Sequence, residues 1–334
     1  MELINRIKQN ARLQNKRIIL PEGIEPRTLS AADEIIADGI ARIILLGAPS
    51  RVMEKAEELG LKHIGGAKII DPEDHPDIEK YIDMMVEIRK DKGLTRSVAA
   101  SLIRDPLYLA VMMIKNGDAD GEVAGAANAT GDVLRPALQF VKTAPGISVV
   151  SGAFIMIHPD RSFGDNGVLV FADGAVNPDP DEKQLAEIAI ATAQTTRKIL
   201  GIEPRVAMIS FSTMGSARHP MVDKVINATR IAREMAPDLL IDGELQVDAA
   251  IIESIGKSKA PGSPVEGRAN ILIFPSLDVG NVAYKLVQRL GKAEAIGPVL
   301  QGMAAPINDL SRGCSINDIV SLVAITVMQA SNIV

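Results

Sequence analysis

Six short β-rich runs in this chain are each followed by a run with helical periodicity, and that alternation restricts the fold more than any other feature. RIILP (17–21) precedes a helical pattern from about Arg27 to Asp38, ARIILLG (41–47) precedes VMEKAEELG, and GEVAGA (121–126) precedes DVLRPALQFVK. Further on, VLVFAD (168–173) precedes EKQLAEIAIATAQTTRKIL, VAMISFS (206–212) precedes PMVDKVINATRIAREM, and ANILIFPS (269–276) precedes NVAYKLVQRLG. Such units predict an α/β protein with largely parallel sheets. Several runs are apolar at consecutive positions, as strands are when helices cover both faces of a sheet. Between ISVVSGAFIMI (147–157) and VLVFAD stands HPDRSFGDNG, which reads as a hairpin connection and predicts a mixed sheet there. The chain has 334 residues, more than one hydrophobic core usually serves, so two domains are expected. KTAPG (142–146), with Pro and Gly together, is the best local break, and no internal repeat or low-complexity segment stands out.

Composition narrows the function classes. Aromatic residues are 3% of the chain and Trp is absent, so the cores are expected to be aliphatic and a base-stacking surface is disfavoured. A net charge of −6 excludes a chain-wide basic field for nucleic acid or anionic membrane. An anionic small ligand would need locally clustered Arg or backbone amides. One cysteine, Cys314, rules out an internal disulfide framework and fits a reducing cytosol. The N-terminal MELINRIKQNARLQNKR is charged, helical in pattern and without the apolar centre of a signal peptide. The uncharged C-terminal IVSLVAITVMQASNIV is too short and too polar for a membrane span, and is expected to be a buried helix.

In parallel α/β sheets ligands bind beyond the carboxyl ends of strands, where loops lead into helix N-termini that attract anions. Three junctions carry suitable residues. In GAANATGDVLRP (125–136) small residues let an anion approach the backbone and Arg135 falls early in the next helix; a plain turn with Arg135 in a surface ion pair is the competing reading. In SFSTMGSARHP (210–220), Ser212, Thr213, Gly215 and Ser216 can cradle a phosphate, or the hydroxyls can simply cap the helix that Pro220 begins. No GxxxxGK[ST] loop is present, which disfavours nucleoside triphosphates. In PINDLSRGCSINDIV (306–320), Ser315 is expected to cap a helix from about Ile316, with Asp318 at the third helical position as in a capping box. Ser311 and Arg312 then stand just outside a helix N-terminus. Either this hydroxyl, cation and carboxylate form a site, or Ser315 and Asp318 only cap while Arg312 neutralises Asp309 or Asp318.

Other positions are weaker. His63, His75, His158 and His219 have no metal-ligand spacing and read as surface or loop residues. Cys314 has no partner base at a recognisable spacing. The acidic, Pro-containing DPEDHPD (71–77) and NPDPDE (177–182) read as solvated turns and helix starts.

At these junctions the sequence resembles the phosphate acetyltransferase and butyryltransferase family. The matching blocks are RDPLYLAVMMIKNGDADGEVAGA, GDVLRPALQ, NPDPDEKQLAEIAI, SFSTMGSARHPMVDKV, DGELQVDAAI, ILIFPSLDVGN and YKLVQRLGKAEAIGPVLQGMAAPINDLSRGCSINDIV, in the family's order from about Arg17 to the C-terminus. Met214 and Arg218 stand where many members have Lys, and Asn128 where others often carry His. The resemblance implies two α/β domains with a cleft between them, 1–145 with 301–334 and 146–300, in a fold similar to that of isocitrate dehydrogenases. It implies an acyltransferase that interconverts acetyl-CoA plus phosphate with CoA plus acetyl phosphate, with the CoA thiolate attacking acetyl phosphate in a ternary complex. Asp318 would be the base, Ser311 the donor to the tetrahedral oxyanion, and Arg312 the holder of the phosphoryl oxygens. Arg89 and Arg135 match arginines linked to substrate or CoA binding. No metal or tightly bound cofactor is expected, with CoA and acetyl-CoA as substrates, and a cytoplasmic homodimer without nucleic-acid or membrane partners is implied. Three rivals are a phosphate butyryltransferase, a non-catalytic regulatory module of the kind appended to some malic enzymes, and a nicotinamide dehydrogenase. No malic-enzyme domain is expected before the match, which disfavours the second. No GxGxxG follows a strand and no clustered Asp metal site is present, which disfavours the third.

Overall fold

A computed structural model describes residues 2–331. In chain order its strands are β1 (Arg17–Leu20), β2 (Arg42–Leu46), β3 (Lys68–Ile70), β4 (Gly121–Ala124), β5 (Ser151–Ile157), β6 (Val168–Ala172), β7 (Arg205–Ile209), β8 (Leu240–Leu245), β9 (Ile271–Ile273), β10 (Glu294–Gln301) and β11 (Ile307–Asp309). Each of the six expected β-rich runs contains one of them. The chain divides into two compact units, Met1–Ala144 with Met303–Val334, and Pro145–Gly302.

The first unit is built on a parallel sheet in the order β11-β4-β1-β2-β3. Successive strands β1 to β3 run outward on one side, while β4 and β11 lie on the other. The order therefore reverses at β1, and the carboxyl ends of β1 and β4 flank the position where open α/β sheets bind ligands. The helix Pro106–Asn116 shows why this region reads as a strongly apolar block. Leu107 through Ile114 are all buried, so it is apolar all round, as a core helix must be. Asp105 caps it by accepting from the Leu107 N–H at 2.9 Å, and Gly117 ends it at φ 84°. The C-terminal helix Ile316–Ser331 is buried from Ile319 to Val327, as expected, and packs on the helices Glu2–Arg12 and Pro26–Ala37. Gly121 of β4 faces it so closely that a Cβ there would lie 2.8 Å from Thr326 Cγ2. Residues 332–334 of the expected terminal helix, and Met1 of the N-terminal one, lie outside the described residues. Where the chain leaves this unit and returns, Thr143 pairs with Met303 and the Ala304 N–H donates to the Lys142 carbonyl at 3.0 Å.

The second unit has the order β10-β5-β6-β9-β7-β8. β6, β9, β7 and β8 are parallel neighbours, whereas β5 pairs antiparallel with both β6 and β10. The expected hairpin and mixed sheet are thus present, with HPDRSFGDNG as the connection. The core is largely aliphatic, yet the few aromatics gather in it: Phe154 stacks on Tyr284 at 3.8 Å, and Phe171 meets Phe274 edge-on at 5.3 Å. Among the described residues no single helix is long and apolar enough to cross a membrane.

Candidate active site

The C-terminal junction folds as its spacing predicts. Ser315 Oγ accepts from the Asp318 N–H at 3.2 Å, and Asp318 Oδ2 accepts from the Ser315 N–H and Oγ, each at 2.8 Å. This reciprocal cap starts the helix at Ile316. It occupies one carboxylate oxygen of Asp318 and leaves Oδ1, on an exposed residue, without a hydrogen bond among the described residues. Just before it, Ser311 to Cys314 form a tight turn closed by the Cys314 N–H on the Ser311 carbonyl at 2.8 Å. Ser311 Oγ accepts from the Gly313 N–H at 3.3 Å, so its own proton is free to donate outward. The Arg312 guanidinium is exposed and has no ion pair among the described residues. Asp318 therefore does cap, but Arg312 neutralises neither Asp309 nor Asp318. An unpaired cation, a free hydroxyl proton and a free carboxylate oxygen stand together at one helix N-terminus.

The main chain carrying them is held by Arg27, which sequence reasoning missed. Its Nη1 donates to the carbonyls of Arg312 (2.8 Å) and Cys314 (2.9 Å), and its Nη2 to the carbonyl of Ala126 (2.8 Å). Nε donates to Glu25 Oε1 at 2.7 Å; burial raises the Glu25 carboxyl, but Arg27 together with the hydrogen bonds from Thr28 holds it below its ordinary range. One guanidinium thus joins the loop after β1, the loop after β4 and the turn after β11.

The first junction does bind an anion, and that anion belongs to the protein. The N–H groups of Gly125, Ala127 and Asn128 and the Asn128 side-chain amide all donate to Glu22 Oε1 at 2.7–3.2 Å. Ala126 N–H donates to Oε2 at 2.8 Å. Four successive amides converge on one carboxylate, the arrangement of a backbone anion nest. The second unit uses the same device: Asp173 accepts from the N–H groups of Gly152, Ala175, Val176 and Asn177 and from the Asn177 side chain.

The remaining predicted residues divide between the units. Ser212, Thr213, Gly215 and Ser216 lie in the second unit, in a loop that closes on itself. Glu244 Oε1 accepts from Ser212 Oγ and from the Gly215 N–H, each at 2.8 Å, and Ser216 Oγ accepts from the Thr213 N–H at 3.0 Å. These donors already have a partner inside the unit, and the helix that follows starts at Pro220 under the His219 cap. Arg135 makes the surface ion pair that was its competing reading, with Asp132 at 3.4 Å. Arg135 and Arg89, far apart in sequence, both act electrostatically on the buried Tyr108 phenol. Burial raises that phenol; the two cations oppose the rise, while Asp105 and Asp132 add to it. Arg89 has no ion pair among the described residues.

Asp309, at the end of β11, is 2% exposed; Thr130 Oγ1 donates to its Oδ2 at 2.6 Å and Oδ1 is unpartnered. Burial pushes its carboxyl up from 3.8 to about 6, aided by Glu22 and opposed by the Thr130 hydrogen bond. Glu122, fully buried in β4, is raised well above its ordinary range by burial and then by Glu22 and Asp105. Because folded Asp309 holds its proton more tightly than the unfolded chain, the stability this gives is complete below about pH 4 and is lost as pH rises through about 6. At about 1.4 kcal/mol per pH unit, the loss is about 3 kcal/mol. Asp309→Asn keeps an acceptor for Thr130 and cannot ionise. Urea unfolding should show a smaller fall in stability between pH 4.5 and 7.5 for this variant than for the wild type; parallel profiles would contradict this.

Among the described residues, cavities border the first sheet. One of about 520 Å³ opens beside Glu22, Glu25, Asp105 and Asn128, at the carboxyl ends of β1 and β2. The larger, about 690 Å³, is lined by Arg17, Arg42 and Lys68 from the strand starts and by none of the predicted site residues.

Comparison with known proteins gives the family. The profile of the phosphate acetyl/butaryl transferase family matches residues 2–327. A phosphate acetyltransferase from Clostridium acetobutylicum is 56% identical over 330 residues, which cover 99% of each chain. A phosphotransacetylase structure from Streptococcus pyogenes superposes with a TM-score of 0.94 at 44% identity, covering 98% of both chains. A branched-chain phosphotransacylase from Enterococcus faecalis, 18% identical over 94% of this chain and 99% of its own, has a TM-score of 0.68 and shares the fold.

Proposed function

The chain belongs to the phosphate acetyl/butaryl transferase family, and we propose that it transfers an acetyl group between coenzyme A and inorganic phosphate. The observation that carries this reading is the trio after β11: Arg312 without an ion pair, Ser311 with its proton free, and Asp318 with one free oxygen.

Written towards the thioester, the CoA sulfur bonds to the carbonyl carbon of acetyl phosphate. Asp318 takes the thiol proton, because the thiolate is the effective nucleophile. The carbonyl electron pair moves to oxygen, where the Ser311 hydroxyl donates to it; one preorganised donor of this kind contributes about 3 kcal/mol. The pair then returns, the bond to the phosphate oxygen breaks, and phosphate leaves within the fork of Arg312. Arg89, which has no ion pair among the described residues, and Arg135, paired only at the surface with Asp132, are suited to the phosphates of CoA. Thioester and acyl phosphate are both activated acyl groups, so neither ATP nor a redox cofactor enters the balance. Metal is not required on this reading, since arginines neutralise the phosphate; among the described residues no three His, Cys, Asp or Glu side chains are grouped as metal ligands.

Cys314 takes no covalent part. Its thiol is pushed up to about 11, first by burial and then by Asp318, Glu25 and Glu22, against Arg27. At neutral pH little of it is the reactive thiolate. Cys314→Ala should retain most of the wild-type kcat; a variant without activity but with native stability would make the thiol a participant.

A homodimer is part of this proposal. Val279, Val282 and Leu286 lie along one face of the helix Leu277–Arg289, are 41, 55 and 51% exposed, and continue into Leu290. Such a stripe is expected to be covered by a protein surface, and light scattering that gives a monomer would remove the dimer from the account. Cytoplasmic location follows from the substrates and is testable by fractionation. Thioester formation from acetyl phosphate and CoA, with a chelator present and no nicotinamide cofactor, tests the activity itself. Butyryl phosphate preferred over acetyl phosphate would overturn the acetyl assignment, and activity restored only by a divalent ion would overturn the metal-free one.

A further inference from the structure

The cradle around Glu22 has a role beyond closing a loop. Glu22 is 9% exposed and receives every amide N–H from Gly125 to Asn128. Those residues bridge 103 to 106 positions of sequence, so the carboxylate fixes a loop that it does not adjoin in the chain. That loop touches the proposed site at three points. The Ala126 carbonyl receives Arg27, whose other nitrogen holds the carbonyls of Arg312 and Cys314. Thr130, two residues past the cradle, donates to Asp309. Gly125, at φ 106°, lies so near the returning strand that a Cβ there would meet Asp309 Oδ1 at 2.4 Å and the Leu310 carbonyl at 2.6 Å. The Leu310 N–H in turn donates to the Ala124 carbonyl at 2.7 Å.

From this geometry we infer that Glu22 is a positioning residue: its carboxylate sets the 125–128 loop, and through Arg27 and Asp309 that loop sets the main chain presenting Ser311 and Arg312. The inference rests on the proposed acetyl transfer. Glu22 touches no substrate and exchanges no proton. Its chemistry is that of a resident anion, and only an acceptor with two oxygens satisfies both the four donors on Oε1 and the separate Ala126 N–H on Oε2. In Glu22→Gln the new amide group meets one of these donors with a donor of its own. In Glu22→Ala the nest is empty and can take a small carboxylate from solution.

The test compares wild type, Glu22→Ala and Glu22→Gln for thioester formation, with and without formate, beside thermal unfolding of each. Misplacing reacting groups by about 1 Å lowers rate by up to about 100-fold. Glu22→Ala should therefore lose at least about tenfold in kcat, more than it changes KM, and formate but not chloride should restore part of the loss at constant ionic strength. Glu22→Gln, which keeps the volume, should be slow with little change in unfolding temperature. It carries the test if Glu22→Ala does not fold. An active wild type beside a Gln variant with unchanged kcat, or a folded, slow Ala variant indifferent to formate, overturns the positioning role. A wild type that forms no thioester brings down the functional reading, and this inference with it.

Discussion

Asp318→Asn should lower kcat by about 10²- to 10⁴-fold, the range lost with a positioned general base, while the protein stays folded. Substituting a residue at a helix start usually confounds loss of chemistry with loss of a cap. Here the two can be separated. Ser315 N–H and Oγ both donate to the same oxygen of Asp318. Asparagine has one carbonyl oxygen that can accept both, so the reciprocal cap survives. What it loses is the charge near the positive helix end, about 0.3–1 kcal/mol at an exposed position, and any ability to accept a proton. Asp318→Ala loses the cap as well, at about 1 kcal/mol more. Stability should thus fall from wild type to Asn to Ala, whereas activity should be equally low in both variants. Kinetics beside urea unfolding read the two trends. A fully active Asn variant would mean that Asp318 only caps.

The second large effect is expected at Arg312. Arg312→Lys keeps the charge and should still lower kcat/KM by about 10- to 100-fold. The fold uses the Arg312 carbonyl, which receives Arg27, and among the described residues the guanidinium has no partner. Lysine therefore leaves the turn in place and changes only what the side chain offers to a ligand. A guanidinium meets two phosphoryl oxygens with two parallel N–H groups, and an ammonium meets them as a point charge. Steady-state kinetics with acetyl phosphate as the varied substrate measures the difference, and a variant with wild-type constants would place Arg312 outside the site.

What could be read from the sequence was set by local pattern. Strand-to-helix alternation, the hairpin at 158–167, the buried C-terminal helix and the Ser315–Asp318 cap each depend on residues a few positions apart. Short strands such as β3 and β11, three residues each, hold too few positions to show a period, and their place in the sheet comes from long-range pairing. The loops read as candidate sites for a ligand's anion instead hold carboxylates of the chain's own. Glu22 fills the amides after β4, and Glu244 holds the Ser212–Gly215 loop. Neither partner is adjacent in sequence. Arg27 has the same character: its acceptors are backbone carbonyls up to 287 residues away, and a carbonyl has no sequence signature. One signal was available. GAAN at 125–128 recurs as GAVN at 174–177, and in both the Asn side chain and neighbouring amides hold a carboxylate. Gly23 was another: its Cβ would lie 2.4 Å from the Leu46 carbonyl, so the turn after β1 needs glycine where it crosses β2.

Direct attack by the CoA thiolate, with no acetyl group on the protein, is the central claim. It is tested by following labelled phosphate into acetyl phosphate with and without CoA. An acetyl-enzyme would let phosphate leave and return before CoA binds. Direct transfer predicts label exchange only when CoA is present, whereas exchange in its absence, with acetyl label trapped on Cys314 or Ser311, would contradict it.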